Sequence, residues 1–262
     1  MKVQQSVILF TTHLLDEYII AQYRKLRSET VDLGLRAILL AQEDTINRED
    51  VPDDIDCYWF SVESLNELDY EPIEETIVPG SNHFATLQFY KAHPDYAYYW
   101  TVEFDVCFSG NWQTFFEAFE DVETDFLSTH IQRIDENRSW PWWHSLYPTS
   151  DLTVPRTEYI KSFNPIYRLS NAAIAKLDEL LTAGHRGHHE LLVPTLLAHF
   201  GFSLGDFGGT GSFVLPAFEE RFYTGNHPLD SWYQESTMRY RPLLKVEDMQ
   251  ILNKIYHPIK HA

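Results

Sequence analysis

Basic residues are scarce in this chain: 20 Lys plus Arg stand against 39 Asp plus Glu, a formal charge of −19 over 262 residues. A general nucleic-acid binder, or a protein held on an anionic membrane, needs a basic surface, so the balance argues against both. It does not exclude a small anionic substrate, because a bound cation supplies positive charge locally. Cysteine is nearly absent. Cys57 and Cys107 make neither a metal-ligand spacing nor a disulfide framework, and a reducing interior is the simplest setting. No apolar run reaches the roughly 18 residues of a membrane helix, and the start, Met1-Lys2-Val3-Gln4-Gln5, has no signal-peptide apolar region. A soluble, cytoplasmic protein without a membrane span is expected. Internal repeats, low-complexity tracts and long linkers are also missing.

What is present is a large apolar inventory, 44% hydrophobic and 15% aromatic, enough for one domain or two closely merged ones. Val7-Ile8-Leu9-Phe10 is an all-apolar run of the kind buried on both faces of a sheet. Leu14 to Arg27 has helical spacing, with Leu15, Ile19, Tyr23 and Leu26 on one stripe. Residues 37–41 and 56–60 read as further strands, and strand–helix–strand in this order favours a right-handed parallel unit. A helix over 81–93, a strand over 97–106, a Phe-rich helix over 111–120 and a strand over 124–131 follow. Residues 135–157 are irregular and rich in Pro and Trp. Two helices are expected over 170–181, capped by Ser170, and 188–200. Gly205-Asp206-Phe207-Gly208-Gly209 reads as a loop, either flexible and able to approach a ligand or a plain turn. The last twenty residues read as a polar tail. The expected architecture is one domain over 1–262, with a nucleotide-binding half at 1–132 and an acceptor-side half and tail at 133–262.

The stretch Tyr98-Tyr99-Trp100-Thr101-Val102-Glu103-Phe104-Asp105-Val106 carries the chemistry. In an extended chain, residues two apart share a side, so Glu103 and Asp105 are expected to project together. Two like charges side by side are costly. A divalent cation, a basic partner or protonation of one carboxyl relieves that cost. A hard-metal site holding a phosphate fits the pair; two rim carboxylates beside an Arg is the alternative. In parallel α/β sheets ligands sit beyond the carboxyl ends of the strands, where Thr11-Thr12-His13, Gln42-Glu43-Asp44 and Glu103-Phe104-Asp105 are all expected.

Together these pieces resemble the GT-A class of nucleotide-sugar glycosyltransferases, and more closely a little-characterised glycosyltransferase-like family of bacteria and fungi. The resembling segments are Tyr99 to Val106 running into Gly110-Asn111-Trp112, then Leu169-Ser170, Gly187-His188-His189-Glu190-Leu191-Leu192-Val193-Pro194-Thr195, and Tyr256-His257-Pro258-Ile259-Lys260. The resemblance spans about residues 80–262, with the earlier strands agreeing only in pattern. It implies an α/β, GT-A-like (Rossmann-like) fold: a central mixed, mostly parallel sheet flanked by helices, with an irregular acceptor-side second half. It also implies an Asp-x-Asp metal motif, here with Glu103 as first member, and Mn²⁺ or Mg²⁺ on Asp105 bridging two phosphates.

Under that resemblance His257 is a further ligand, and Mn²⁺ tolerates an imidazole better than Mg²⁺ does. Lys260 reaches a phosphate oxygen. Thr11, Thr12 and Asp44 fall where a nucleobase and ribose dock, ordinary strand-end turns being the alternative. Asn82 and His83 present backbone N–H groups to an anion or form a simple helix cap. Glu190, in the first turn of its helix, is the expected general base, although an acid there also complements the helix dipole. Its neighbours His188 and His189 are ligand contacts or surface histidines. Trp140, Trp142 and Trp143 are either an acceptor-stacking platform or core plugs under a loop.

The expected function is transfer of a sugar from a nucleotide diphosphate-sugar to a saccharide or glycolipid acceptor. A metal-dependent nucleotidyltransferase or phosphohydrolase would want a basic, Gly-rich phosphate loop after the first strand, and Thr11-Thr12-His13-Leu14-Leu15 is not one. A carbohydrate- or nucleotide-binding protein that keeps the core without turnover is the non-enzymatic alternative.

Overall fold

A computed structural model describes residues 6–75, 77–225 and 236–260. The strands are β1 Ser6–Thr12, β2 Arg36–Gln42, β3 Cys57–Phe60, β4 Tyr98–Glu103, β5 Cys107–Phe108, β6 Phe126–Arg133, β7 Leu146–Tyr147, β8 Ile160–Ser170, β9 Arg186–Gly187, β10 Leu204–Asp206 and β11 Ile255–Tyr256. The α-helices are α1 Glu17–Thr30, α2 Val62–Asn66, α3 His83–Ala92, α4 Trp112–Glu117, α5 Asn171–Thr182 and α6 His189–His199. Seven strands form one sheet in the order β10-β6-β8-β4-β1-β2-β3. All run the same way except β8, which is antiparallel to both β4 and β6. This is the expected central sheet, mixed and mostly parallel.

Both faces of the sheet are covered, and β1 shows why its run is continuously apolar. Val7 and Leu9 enter one core cluster, with apolar residues of α3, α5 and α6. Ile8 and Phe10 enter the other, with Ile19, Tyr23 and Leu26 of α1 and Trp112, Phe115 and Phe116 of α4. Alternate residues of a strand point to opposite faces, so a strand buried twice has no position for a polar side chain. Helix α1 starts later than its apolar stripe suggests, because Asp16 caps it by accepting from Ile19 N at 2.9 Å.

Sequence reasoning passed over β8, the reversed strand. Its segment Ile160-Lys161-Ser162-Phe163-Asn164-Pro165 holds a proline, which lacks a ladder donor, and every one of its eleven residues is nonetheless buried. Arg168 is accommodated there by the carbonyls of Phe119, Val122 and Thr124, with its guanidinium 4.0 Å from the centre of the Tyr98 ring.

Two further expectations change. The C-terminal segment is not a polar tail: β11 pairs with β5, and Ile255, Tyr256, His257 and Ile259 are all buried. Asp206 is not on a flexible loop. It ends edge strand β10 fully buried, where Tyr223 donates to its carboxylate at 2.9 Å and Ile131 N and Gly208 N each donate at 3.0 Å. No helix among the described residues is long and apolar enough to cross a membrane.

Candidate metal and catalytic site at the carboxyl edge of the sheet

Strand β4 stops at Glu103, one strand away from Thr11 at the end of β1. Asp105 is therefore not on the strand, and the pleat is not what joins the two carboxylates. A tight turn does so, closed by Val106 N donating to the Glu103 carbonyl at 2.9 Å. The C-terminal segment then folds across this turn: Ile259 N donates to the Asp105 carbonyl at 2.9 Å, and His257 N to the Thr237 carbonyl at 2.9 Å.

This docking places His257 Nε2 3.5 Å from Asp105 Oδ1 and 4.0 Å from Glu103 Oε2. One ligand atom from each of Glu103, Asp105 and His257 lies within 4.8 Å of the others. The tautomer follows from the far side of the ring. Nδ1 lies 2.8 Å from the Arg239 carbonyl, which can only accept, so Nδ1 carries the proton. Burial holds the His257 pKa below its ordinary value, so the ring is neutral and Nε2 aims a lone pair at two carboxylates.

The electrostatics are lopsided. Lys260 Nζ donates to Asp105 Oδ2 at 2.8 Å, the basic partner that the sequence alternative assigned to an arginine. Asp105 Oδ1 is buried and has no hydrogen-bond partner. Burial, and then the Asp105 charge, pushes the Glu103 carboxyl up to about 8. An orphaned carboxylate oxygen, a second carboxyl and an imidazole lone pair converging at this range fit a divalent cation that accepts mixed oxygen and nitrogen ligands.

Around this cluster the other sequence-nominated residues divide. Asn82 precedes α3 but does not cap it; its Nδ2 approaches Glu103 Oε1 at 3.4 Å, and its Oδ1 is buried without a partner. Thr11 Oγ1 is likewise buried and unpartnered. Thr12 is occupied locally, accepting from Leu14 N at 3.1 Å. Asp44 is also held in turn chemistry, accepting from Val62 N at 2.9 Å and from Gln42 Nε2 at 3.1 Å. Of these four, Thr11 and Asn82 are the ones with hydrogen-bonding capacity left unused at the site.

Glu190 lies in the first turn of α6, whose cap is His188, with Nδ1 accepting from Glu190 N at 3.3 Å. The Glu190 carboxylate reaches β8, where Asn164 N approaches Oε1 at 3.4 Å. Burial pushes the Glu190 carboxyl up to about 7, with the Lys161 charge opposing the shift. Its own charge in turn helps to raise Glu103. His188 comes within 3.9 Å of Glu190 Oε2. Burial depresses its pKa to about 2, so this approach is not an ion pair.

His188 and His189 are not surface histidines. Trp142, His188, His189 and His83 stack in a row, with neighbouring ring centres 4.8, 5.1 and 5.8 Å apart. The tryptophans separate accordingly. Trp140 and Trp143 are core plugs, 5% and 3% exposed, and Trp143 Nε1 donates to the Asn137 carbonyl at 2.6 Å. Neither offers a ring face to an acceptor. Trp142 is half-buried and packs one face on His188.

Sequence reasoning missed Lys161 and Asn164, both on the unrecognised β8, and the buried role of Asp206. A lysine alone in the otherwise uncharged segment 159–167 was the available signal. Lys161 is 1% exposed, and its Nζ donates to the His130 carbonyl at 3.1 Å. Its charge lowers the pKa of both Glu190 and Asp206 against burial.

A scan against protein-family models gives no match to this chain. Curated proteins give none either. Solved structures do. The 4-diphosphocytidyl-2C-methyl-D-erythritol synthase of Anaerococcus prevotii is 11% identical over 84% of this chain and 95% of its own, with a TM-score of 0.48. Mouse xyloside xylosyltransferase 1 is 10% identical over 79% of this chain and 88% of its own, at 0.36. The galactosyltransferase LgtC, in complex with donor and acceptor sugar analogues, is 9% identical over 78% of this chain and 74% of its own, at 0.42. These are similarities of fold alone.

Proposed function

We propose that this protein is a glycosyltransferase that moves a sugar from a nucleotide diphosphate-sugar to a saccharide-like acceptor, with Glu190 as general base. One observation carries the reading: a buried carboxyl with its pKa raised to about 7 lies on the same site as a convergent Glu103–Asp105–His257 cluster. A base that titrates near neutrality is matched to removing a hydroxyl proton in step with attack. A cation on the cluster supplies the charge that offsets the leaving diphosphate.

The chain's own residues do the rest. Glu103, Asp105 and His257 would hold Mn²⁺ or Mg²⁺. Lys260, 39% exposed at its side chain and already turned to this edge, contributes a second positive charge toward a phosphate oxygen. Thr11 Oγ1 and Asn82 Oδ1 offer unsatisfied polar atoms to the donor. Glu190 takes the acceptor proton on a carboxylate oxygen, and Lys161 limits how far burial raises its pKa.

The β1–α1 loop favours glycosyl over nucleotidyl transfer. Residues Thr11 to Asp16 include no Lys or Arg, whereas a triphosphate needs a basic cradle there. The test is a donor panel with Mn²⁺. Release of free sugar and nucleoside diphosphate supports the reading; pyrophosphate release from a nucleoside triphosphate and a sugar phosphate would replace it with nucleotidyl transfer. Binding of nucleoside diphosphates without turnover on any donor would leave a binding protein.

A further inference from the structure

A second cleft opens on the same sheet edge, on the opposite side of β4 from the β1–β3 strands. It is a cavity of about 450 Å³ lined by Ile134, Asp135, Arg138, Arg156 and Thr157. Its position follows from the topology. Strand β6 runs parallel to β4 because both are antiparallel to β8. The chain leaving β6 at Arg133 and the chain entering β8 at Ile160 therefore lie at the carboxyl edge, where Arg133 and Ile160 are partners. Leu127 and Trp100 are level, both paired with Arg168; Arg133 is six residues beyond Leu127 and Glu103 three beyond Trp100, so the cleft stands roughly 10 Å beyond Glu103 along the strand direction. Asn164, which contacts Glu190, lies between the two.

Both arginines are exposed and unused, on backbone that is anchored. Asn137, next to Arg138, is 2% exposed, and its carbonyl accepts from Trp143 Nε1 at 2.6 Å and Trp140 N at 3.4 Å. Arg156 opens a single 3₁₀ turn whose end is tied to the other segment by Ile134 N donating to the Tyr159 carbonyl at 3.1 Å. Among the described residues neither guanidinium has an ion pair, a hydrogen bond or an aromatic face. The glutamates nearest in sequence are engaged elsewhere. Glu136 accepts from Arg133 N at 2.6 Å, and Glu158 lies 3.1 Å from His199 Nδ1. Asp135 is the one acid on the cleft wall, so two guanidiniums and one carboxylate give the cavity a local charge of +1 in a chain of −19.

The geometry points to this cleft as a subsite for an anionic group on an extended saccharide acceptor, a carboxylate or a sulfate ester. This rests on the transferase reading for the word acceptor, although the cleft's chemistry stands apart from it. A planar guanidinium donates two parallel hydrogen bonds to either group. A net charge of +1 matches a singly charged group. Glu190 is held at Asn164, four residues and at most about 13 Å along β8 from Ile160 at the cleft, so the fitting acceptor is an oligosaccharide of two or more sugars, with the acid anchored at one end and the reacting hydroxyl at the other.

Calorimetric titration without divalent ions tests it. The probes are hexagalacturonate and its fully methyl-esterified form, a sulfated oligosaccharide and its desulfated form, and inorganic phosphate. The wild type is expected to bind at least one acidic form about tenfold or more tightly than its neutral counterpart, as two charge-assisted contacts would give. The Arg138→Gln/Arg156→Gln variant should lose that preference with an unchanged melting temperature, since both side chains are on the surface. Equal binding of acidic and neutral forms overturns the proposal, as does a preference that survives in the variant. Phosphate binding with no saccharide preference overturns the saccharide assignment. The same samples are titrated with a nucleoside diphosphate and Mn²⁺. Failure of that binding with the acid preference intact refutes the transferase reading and leaves the cleft; the converse refutes the cleft alone.

Discussion

Replacing Glu190 with Gln should make the protein more stable and less active, and the two effects should have different pH dependences. The carboxyl titrates at about 7 when folded against an ordinary value of 4.5, with a side chain 14% exposed. A folded-state pKa above the unfolded one means that the native state binds more protons between those values. Stability is therefore lost as pH rises from about 4.5 to 7, and the total cost once the group ionises is on the order of 3 kcal/mol. Gln keeps the shape and an oxygen for Asn164 N, and it removes the charge. Losing the helix-dipole interaction offsets about 0.5 kcal/mol of the gain. Urea unfolding at pH 5 should show little difference between the two proteins. At pH 8 Gln should be more stable by about 2 kcal/mol, less any share that Lys161 already compensates. Turnover should fall roughly 10²–10⁴-fold with Michaelis constants little changed, because the lost interaction acts in the transition state. Wild-type turnover should rise with pH through about 7 as the base deprotonates, and the variant should lack that limb. A Gln variant less stable at pH 8 would mean that the Glu190–Lys161 attraction outweighs burial. One with near wild-type turnover would remove Glu190 from the mechanism.

Asp105→Asn should abolish Mn²⁺-dependent binding of a nucleoside diphosphate in calorimetry; its partner Lys260 is partly exposed, so the lost ion pair should cost about 1 kcal/mol or less. Unchanged metal-dependent affinity would sink the metal assignment. Deleting the chain from His257 onward should now cost stability as well as activity, because Ile259 is 1% exposed and its burial contributes about 2 kcal/mol; a melting temperature equal to wild type would refute that. His257→Gln keeps a side-chain donor for the Arg239 carbonyl and should separate the roles, weakening Mn²⁺ binding about tenfold or more with only a small change in melting temperature.

The first half of the chain was readable because its strands are apolar on both faces, and the run Val7 to Phe10 has no competing interpretation. The Glu103–Asp105 pair was legible as a pair, but for an incomplete reason. Extended geometry placed both on one strand, whereas the strand ends at Glu103 and a turn supplies the second carboxylate. Strand β8 was hidden by Pro165 and by Lys161 and Arg168, residues that argue against a buried central strand until their carbonyl partners are known. The C-terminal segment misled through composition. Lys254, His257 and Lys260 make it read as polar, yet residues 255–259, His257 among them, are buried. Gly205 to Gly209 misled in the same way, since glycines around Asp206 read as a loop. There they permit close packing instead: a Cβ on Gly208 would come within 2.3 Å of the Tyr223 ring.

The charge distribution leaves this edge short of positive charge. Four acids, Glu103, Asp105, Glu190 and Asp206, are held at this edge with only Lys161 and Lys260 named against them. Lys260 satisfies one oxygen of Asp105 and leaves the other bare beside an imidazole lone pair. Burial raises both carboxyls, Glu103 to about 8 and Glu190 to about 7, and the Asp105 and Glu190 charges add to the rise at Glu103. Under the proposed reading, a cation on Glu103 and Asp105 would offset the like-charge part of the Glu103 shift, while the burial that raises Glu190 would remain. Because His257 is carried by the segment that β11 and Ile259 pin over the turn, a cation held by its imidazole would also favour the docked C-terminal segment.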